Sequence, residues 1–299
     1  MPINELEEHP FLNYYEDLPG TPSYYRGLII GSFPIYAVTN TIDRIGATIQ
    51  QRLEPEASMR FFYGSRKSQF WNYTGQALTG TDPRKENGEY LPPDIAVQRC
   101  KQLLFNHRLL ISDSLYRTNR EATGSEDKNL MVPSENSWVN GNKSLNHQIP
   151  SLLRKNKGIS SIYFTSTMVD PKSPYGWFAE IFEQELRNTG QHRVGNRLWS
   201  RTAEINLGPK EKRILKLFFL PTPKTRGISW KTRRLPMFEA YIRTYHQDFF
   251  LEINDLLAIN HTLLQKGRLS GLREQFLIDC YSQALVHSNE TFTGDNLLI

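Results

Sequence analysis

RGLIIGSF, residues 26–33, is a short apolar run that breaks on glycine and serine. It is too short for a buried helix and rich in Ile and Leu, so it reads as a strand covered on both faces, as in a parallel sheet. Three further stretches repeat the pattern: RLLISDS (108–114), SSIYFTST (160–167) and ILKLFFLP (214–221). Helical patterns lie between them, for example DIAVQRCKQLLFNH (94–107) and YGWFAEIFEQELRNTG (175–190). The alternation predicts an α/β fold with a central four-stranded, mainly parallel sheet flanked by helices. RLWSRTAEINL followed by GPKEKRILKLFF predicts a hairpin closing on Gly208-Pro209, which places an antiparallel strand at one edge.

From about Met237 the character changes to long helical patterns, ending in LREQFLIDCYSQALVH. The expected division is an α/β domain over 1–236 and a C-terminal helical extension over 237–299, packed on the same domain. The final stretch, SNETFTGDNLLI, reads as a docked or frayed tail.

The 299 residues, 38% of them hydrophobic, are enough to bury a substantial core without staples. Cys100 and Cys280 stand alone, outside any CxxC or Cys/His cluster, so neither an iron-sulfur cluster nor a structural zinc site is expected. That usage implies a reduced, cytoplasmic protein. MPINELEEHPFLNYYEDLP lacks the basic start and apolar core of an export signal, and no run approaches the roughly 18 apolar residues of a membrane span.

The formal charge of +5 is modest, but it is unevenly spread: between Arg193 and Arg234 twelve Lys/Arg face only Glu204 and Glu211. A basic stretch beside a slightly acidic remainder is the footprint of a polyanion-binding protein, or the solvated face of a basic one.

Ligands of parallel α/β sheets sit beyond the carboxyl ends of the strands. Gly31-Ser32-Phe33-Pro34, Ser112-Asp113-Ser114, Thr165-Ser166-Thr167 and Leu220-Pro221-Thr222-Pro223 meet there. Gly31 and Pro34 suit a tight loop whose amides approach a ligand closely. Asp113, as a carboxylate, accepts hydrogen bonds and suits an N–H group better than a carbonyl. Its alternative role is to cap the turn in SDSLYR. Asp43, Asp127 and Asp170 are secondary candidates without motif support.

Taken in order, LIIGSFP, RFFYGSRKSQFW (60–71), LLISDS and LFFLPTP resemble the uracil-DNA glycosylase superfamily, most closely its hypoxanthine-DNA glycosylase branch and more distantly the mismatch-specific uracil glycosylases. The resemblance covers residues 26–235, with insertions at 36–58 and around 190–215. It implies a four-stranded parallel sheet between helices, a base pocket at its carboxyl edge, and hydrolysis of an N-glycosidic bond in double-stranded DNA by a cytoplasmic monomer without metal or organic cofactor. Asp113 matches the position where relatives keep an Asn or Asp facing the base, and Ser68 the position of an asparagine two residues before the Phe70-Trp71 pair. Gly31, Ser32, Phe33 and Ser166 are implied to line the base pocket, with Phe62 and Tyr63 as its stacking wall, unless those rings are ordinary core. Phe33 replaces an acidic or amide residue and Leu220 a histidine, departures that count against standard uracil excision. Thr222, Lys224, Arg226, Ile228, Trp230, Lys231, Arg233 and Arg234 correspond to a loop that enters DNA, its cations on phosphates and Ile228 or Trp230 in the stack. Two substrates fit this reading: a deaminated base such as hypoxanthine or uracil, meaning repair, or a bulky modified cytosine of viral DNA, meaning antiviral defence. The alternative is a catalytically silent DNA-binding protein on the same fold.

Overall fold

The computed structural model describes residues 3–17, 24–35, 39, 59–65, 68–120, 127, 130–131, 144–182, 186–194, 197–208, 211–223, 238, 241, 245–246 and 268–286. Its strands are β1 (Ile3–Glu8), β2 (Gly27–Gly31), β3 (Lys85–Glu86), β4 (Glu89–Tyr90), β5 (Leu109–Asp113), β6 (Arg117–Arg120), β7 (Leu130–Met131), β8 (Ser161–Phe164), β9 (Leu186–Val194), β10 (Arg197–Gly208) and β11 (Glu211–Phe219). Its α-helices are α1 (Phe70–Thr79), α2 (Pro93–Asn106), α3 (Gln148–Lys155), α4 (Pro174–Phe182) and α5 (Arg268–Leu285).

The main sheet runs β5-β2-β8-β11-β10-β9. The first four strands are mutually parallel, and β10 and β9 continue the sheet antiparallel. Each apolar run read from the sequence is therefore a strand, and the hairpin after Gly208 forms. The sheet nevertheless has six strands rather than four: β10 of that hairpin is the fifth, and the segment expected to be helical through residue 190 stops at Phe182, with Leu186–Val194 becoming the sixth, β9, at the edge where β10 was expected. Pairing with β10 overrides the local helical pattern there.

Alternation along the central strands feeds two cores. Ile29, Ile111, Tyr163 and Phe218 face Phe70 and Trp71 of α1, Cys100 and Leu104 of α2, and Phe276 and Tyr281 of α5. Leu28, Ile30, Leu110, Ile162, Phe164 and Phe219 face Leu152 and Leu153 of α3 and Trp177 and Phe178 of α4. Each such side chain, fully withdrawn from water, contributes roughly 1.5–3 kcal/mol. Helix α5 thus shares the core of the sheet, and the Tyr281 hydroxyl donates to the Pro221 carbonyl at the end of the fourth parallel strand (3.1 Å). No helix among the described residues is long and apolar enough to cross a membrane.

A second, small sheet, β1-β6-β7, was not expected from the sequence. Its β1 pairs antiparallel with β6, with Glu8 opposite Arg117, and the His9 amide extends the ladder to the Tyr116 carbonyl (2.9 Å). This pairing carries the N-terminal segment to the carboxyl ends of β5 and β2.

Candidate active site

Asp113 is the last residue of β5 and sits in register with Gly31, the last residue of β2. Its backbone is anchored by the Asn146 amide, which donates to the Asp113 carbonyl (2.8 Å) and to the Ser112 hydroxyl (3.1 Å). The side chain is 5% exposed and meets His9, whose Nε2 lies 2.9 Å from Oδ2. The Phe11 amide donates to His9 Nδ1 (3.1 Å), so Nδ1 is an acceptor and the ring hydrogen sits on Nε2, where it donates to Asp113. Phe11, Phe33 and Phe62 pack around the imidazole at ring separations of 6.0, 5.6 and 5.1 Å and hold that orientation.

Tyr63 approaches from the loop before α1. It is one of the few non-glycine residues with positive φ (52°), in a turn closed by the Gly64 amide on the Phe61 carbonyl (3.1 Å). Strain of this kind persists only where the surroundings enforce it. Here Phe70 stacks on the Tyr63 ring at 4.3 Å, and the Tyr63 hydroxyl lies 2.5 Å from Thr165 Oγ1. Thr165 in turn donates to the Ile30 carbonyl (3.4 Å), so the phenol hydrogen points to Thr165 and a lone pair remains for other uses. Burial raises the Tyr63 pKa well above the usual tyrosine value, with the Asp113 charge adding to the rise and the Thr165 bond opposing it.

Gly31 lets these groups converge. A Cβ at that position would lie 2.2 Å from Asp113 Oδ1 and 2.4 Å from Tyr63 Oη, so no side chain fits between them. Next to it, the Ser32 hydroxyl donates to Asp127 Oδ1 (2.6 Å), and the Asp127 charge also bears on Tyr63. The site therefore combines two carboxylates and a phenol lone pair, and among the described residues Asp113 Oδ1 accepts no hydrogen bond. Such an arrangement accepts N–H groups and favours positive charge developing nearby.

The residues singled out in the sequence fall into four groups. Asp113, Tyr63, Gly31 and Ser32 come together as described, with the Phe33 ring, 8% exposed, beside His9 and its face against the Arg120 guanidinium at 5.5 Å. Phe62 is 1% exposed and lies beneath His9, with its carbonyl accepting from Trp71 Nε1 (2.8 Å), so it supports the site from the core. Ser68 and Ser166 serve local backbone. The Ser68 hydroxyl accepts from the Phe70 amide at the start of α1 (3.3 Å), and the Ser166 hydroxyl from the Met168 amide (3.1 Å). Thr222 is half-buried at the end of the fourth parallel strand, whereas Lys224, Arg226, Ile228, Trp230, Lys231, Arg233 and Arg234 lie outside the described residues, as does Asp43.

Sequence reasoning missed His9 and Thr165 and ranked Asp127 low. His9 is separated from Asp113 by 104 positions, and nothing local marks it. Thr165 was visible as a strand-end hydroxyl, but its partner on the Tyr63 loop was not. Comparison with protein-family models, characterised proteins and solved structures finds no match to this chain.

Proposed function

We propose that the protein is a monofunctional DNA glycosylase that draws a modified base out of duplex DNA and hydrolyses its N-glycosidic bond. The observation that carries the reading is the buried Asp113, held by a neutral imidazole, with one oxygen turned toward Gly31 and Tyr63 at the carboxyl edge of the parallel strands. That edge is where an α/β sheet takes its ligand.

In this mechanism Asp113 Oδ1 and the Tyr63 lone pair accept hydrogen bonds from the N–H edge of the extruded base. As the base departs, its bonding electrons leave with the ring nitrogen and the sugar acquires oxocarbenium character. The Asp113 and Asp127 carboxylates stabilise that charge, and Asp127, oriented by Ser32, takes a proton from the water as its oxygen bonds to the sugar carbon; that proton passes through solvent to the ring nitrogen of the released base. The parallel strands β5, β2, β8 and β11 are read as the four-stranded sheet of the uracil-DNA glycosylase superfamily, and β9 and β10 as an addition within the insertion around 190–215. The base is either a bulky modified cytosine of viral DNA or a deaminated base.

One observation favours the second reading, a catalytically silent DNA-binding protein: the Ser68 hydroxyl, at the motif position of a polar catalytic residue, is engaged by the Phe70 amide. The two readings separate when duplexes bearing uracil, hypoxanthine or glycosylated hydroxymethylcytosine are incubated with the protein and treated with alkali. Strand scission at one of these bases is expected. Duplex binding without scission at any of them would establish the silent reading instead.

A further inference from the structure

We infer that the site selects a base carrying an exocyclic amine and rejects deaminated bases, whose carbonyl stands where the amine would be; the inference rests on the glycosylase reading above. The placement of two acceptors is the first observation. A Cβ on Gly31 would lie 2.2 Å from Asp113 Oδ1 and 2.4 Å from Tyr63 Oη, so these oxygens are at most 4.6 Å apart. The two hydrogens of a planar amine, roughly 120° apart, meet oxygens about 5 Å from one another when each N···O distance is about 2.9 Å. One amine therefore donates to Asp113 and Tyr63 together with modest bending of the bonds.

The commitments of the neighbouring side-chain hydrogens are the second observation. Thr165 donates to the Ile30 carbonyl, so the Tyr63 hydrogen goes to Thr165 and only lone pairs remain on Oη. Burial keeps Tyr63 protonated well above the usual tyrosine range, so that arrangement persists across neutral pH. The His9 Nε2–H is on Asp113 Oδ2, the Ser32 hydroxyl on Asp127, and the Asn146 amide on Ser112 and the Asp113 carbonyl. Among these side chains no donor is left for a carbonyl.

A deaminated base meets this arrangement badly. In uracil the ring N–H that could donate to Asp113 is flanked by carbonyls, and in hypoxanthine it stands beside one, so a carbonyl oxygen is brought against the Tyr63 lone pair or the Asp113 charge. An acceptor buried against an acceptor loses its bond to water and gains none. Sites arranged around a substrate donor reject the analogue without it by large factors for this reason. Ordinary cytosine and adenine also carry an amine, so the amine is required without being sufficient. Of the two substrate classes proposed above, the modified cytosine meets the requirement.

The test measures single-turnover excision, read as alkaline scission, from duplexes that differ at one base: glycosylated hydroxymethylcytosine, glycosylated hydroxymethyluracil, uracil or hypoxanthine. The first two differ only in the amine. The cytosine form should be excised at least about tenfold faster than each of the others. In Asp113→Asn, whose amide can donate to a carbonyl, the ratio of cytosine to uracil form should fall at least about tenfold or invert, and in Tyr63→Phe it should fall about fivefold. Each ratio is taken within one protein, so a folding defect leaves it unchanged. A preference below about tenfold in the parent, or ratios in the variants equal to the parent's, would overturn the amine selection while leaving the glycosylase reading in place. Scission at none of the four bases would overturn both.

Discussion

Buried carboxylates occupy two kinds of surroundings in this molecule. Asp82 is clamped by Arg84, whose Nε and Nη2 donate to its two oxygens at 3.0 and 2.8 Å, and the guanidinium also donates to the carbonyls of Ser65 and Ser68. Glu7 meets Arg120 at 2.7 Å, with the Thr39 hydroxyl on its other oxygen and the Pro34 carbonyl on the guanidinium. Both pairs cancel their own charge and satisfy their own hydrogen-bonding capacity. Among the described residues Asp113 does neither, since the side chain that meets it is a neutral imidazole and its second oxygen, beside Gly31 and Tyr63, accepts no hydrogen bond. Pairs that neutralise themselves hold the fold together; a buried charge left with an acceptor free is disposed toward something that is not part of the chain.

The largest effect tests the structural side of this contrast. Asp82→Ala strands the Arg84 guanidinium in a buried place, and the expected loss is about 3–5 kcal/mol in unfolding by denaturant, with excision per folded molecule retained. A smaller loss would mean that the carbonyls of Ser65 and Ser68 suffice to hold Arg84. Gly31→Ala tests the functional side, because its Cβ collides with Asp113 Oδ1 and Tyr63 Oη. Displacing them should lower single-turnover excision on the order of 100-fold, and unchanged excision would show that the space between them is not used.

His9→Ala leaves Asp113 Oδ2 without its donor. It should destabilise by about 1–3 kcal/mol, and lower excision less than Gly31→Ala does. If stability falls and excision does not, His9 belongs with the structural pairs. The smallest effect is that of Tyr63→Phe. Because the folded Tyr63 pKa is raised, its contribution to stability is present below the unfolded tyrosine value of about 10 and is lost as pH climbs above it. The variant should show a shallower decline of thermal midpoint between about pH 10 and 12, and an identical slope would place the alkaline loss on other tyrosines such as Tyr14, which burial also raises.

Much of the fold was legible because the parallel strands β2, β5 and β8 are buried on both faces, so RGLIIGSF and RLLISDS carry their assignment in composition alone. Strand β9 was not. LRNTGQHRV is mostly exposed, pairs with β10, and shows none of the apolar signal that marks a covered strand. The site divides the same way. Asp113, Gly31 and Tyr63 are local features of strand ends and a motif, whereas His9 reaches Asp113 only through the pairing of β1 with β6, a contact between segments more than a hundred positions apart. Asp127 lies in a stretch with no periodicity, so its hydrogen bond to Ser32 emerges only in three dimensions.

The central claim, that Asp113 acts on a ligand and not on the fold, is tested most directly by Asp113→Asn. The amide keeps the shape and can still accept from His9, but it turns the free acceptor into a donor. Single-turnover excision should fall by at least about tenfold while the unfolding midpoint stays where it is. Equal excision by variant and parent, or a loss of activity matched by a loss of stability, would contradict the account.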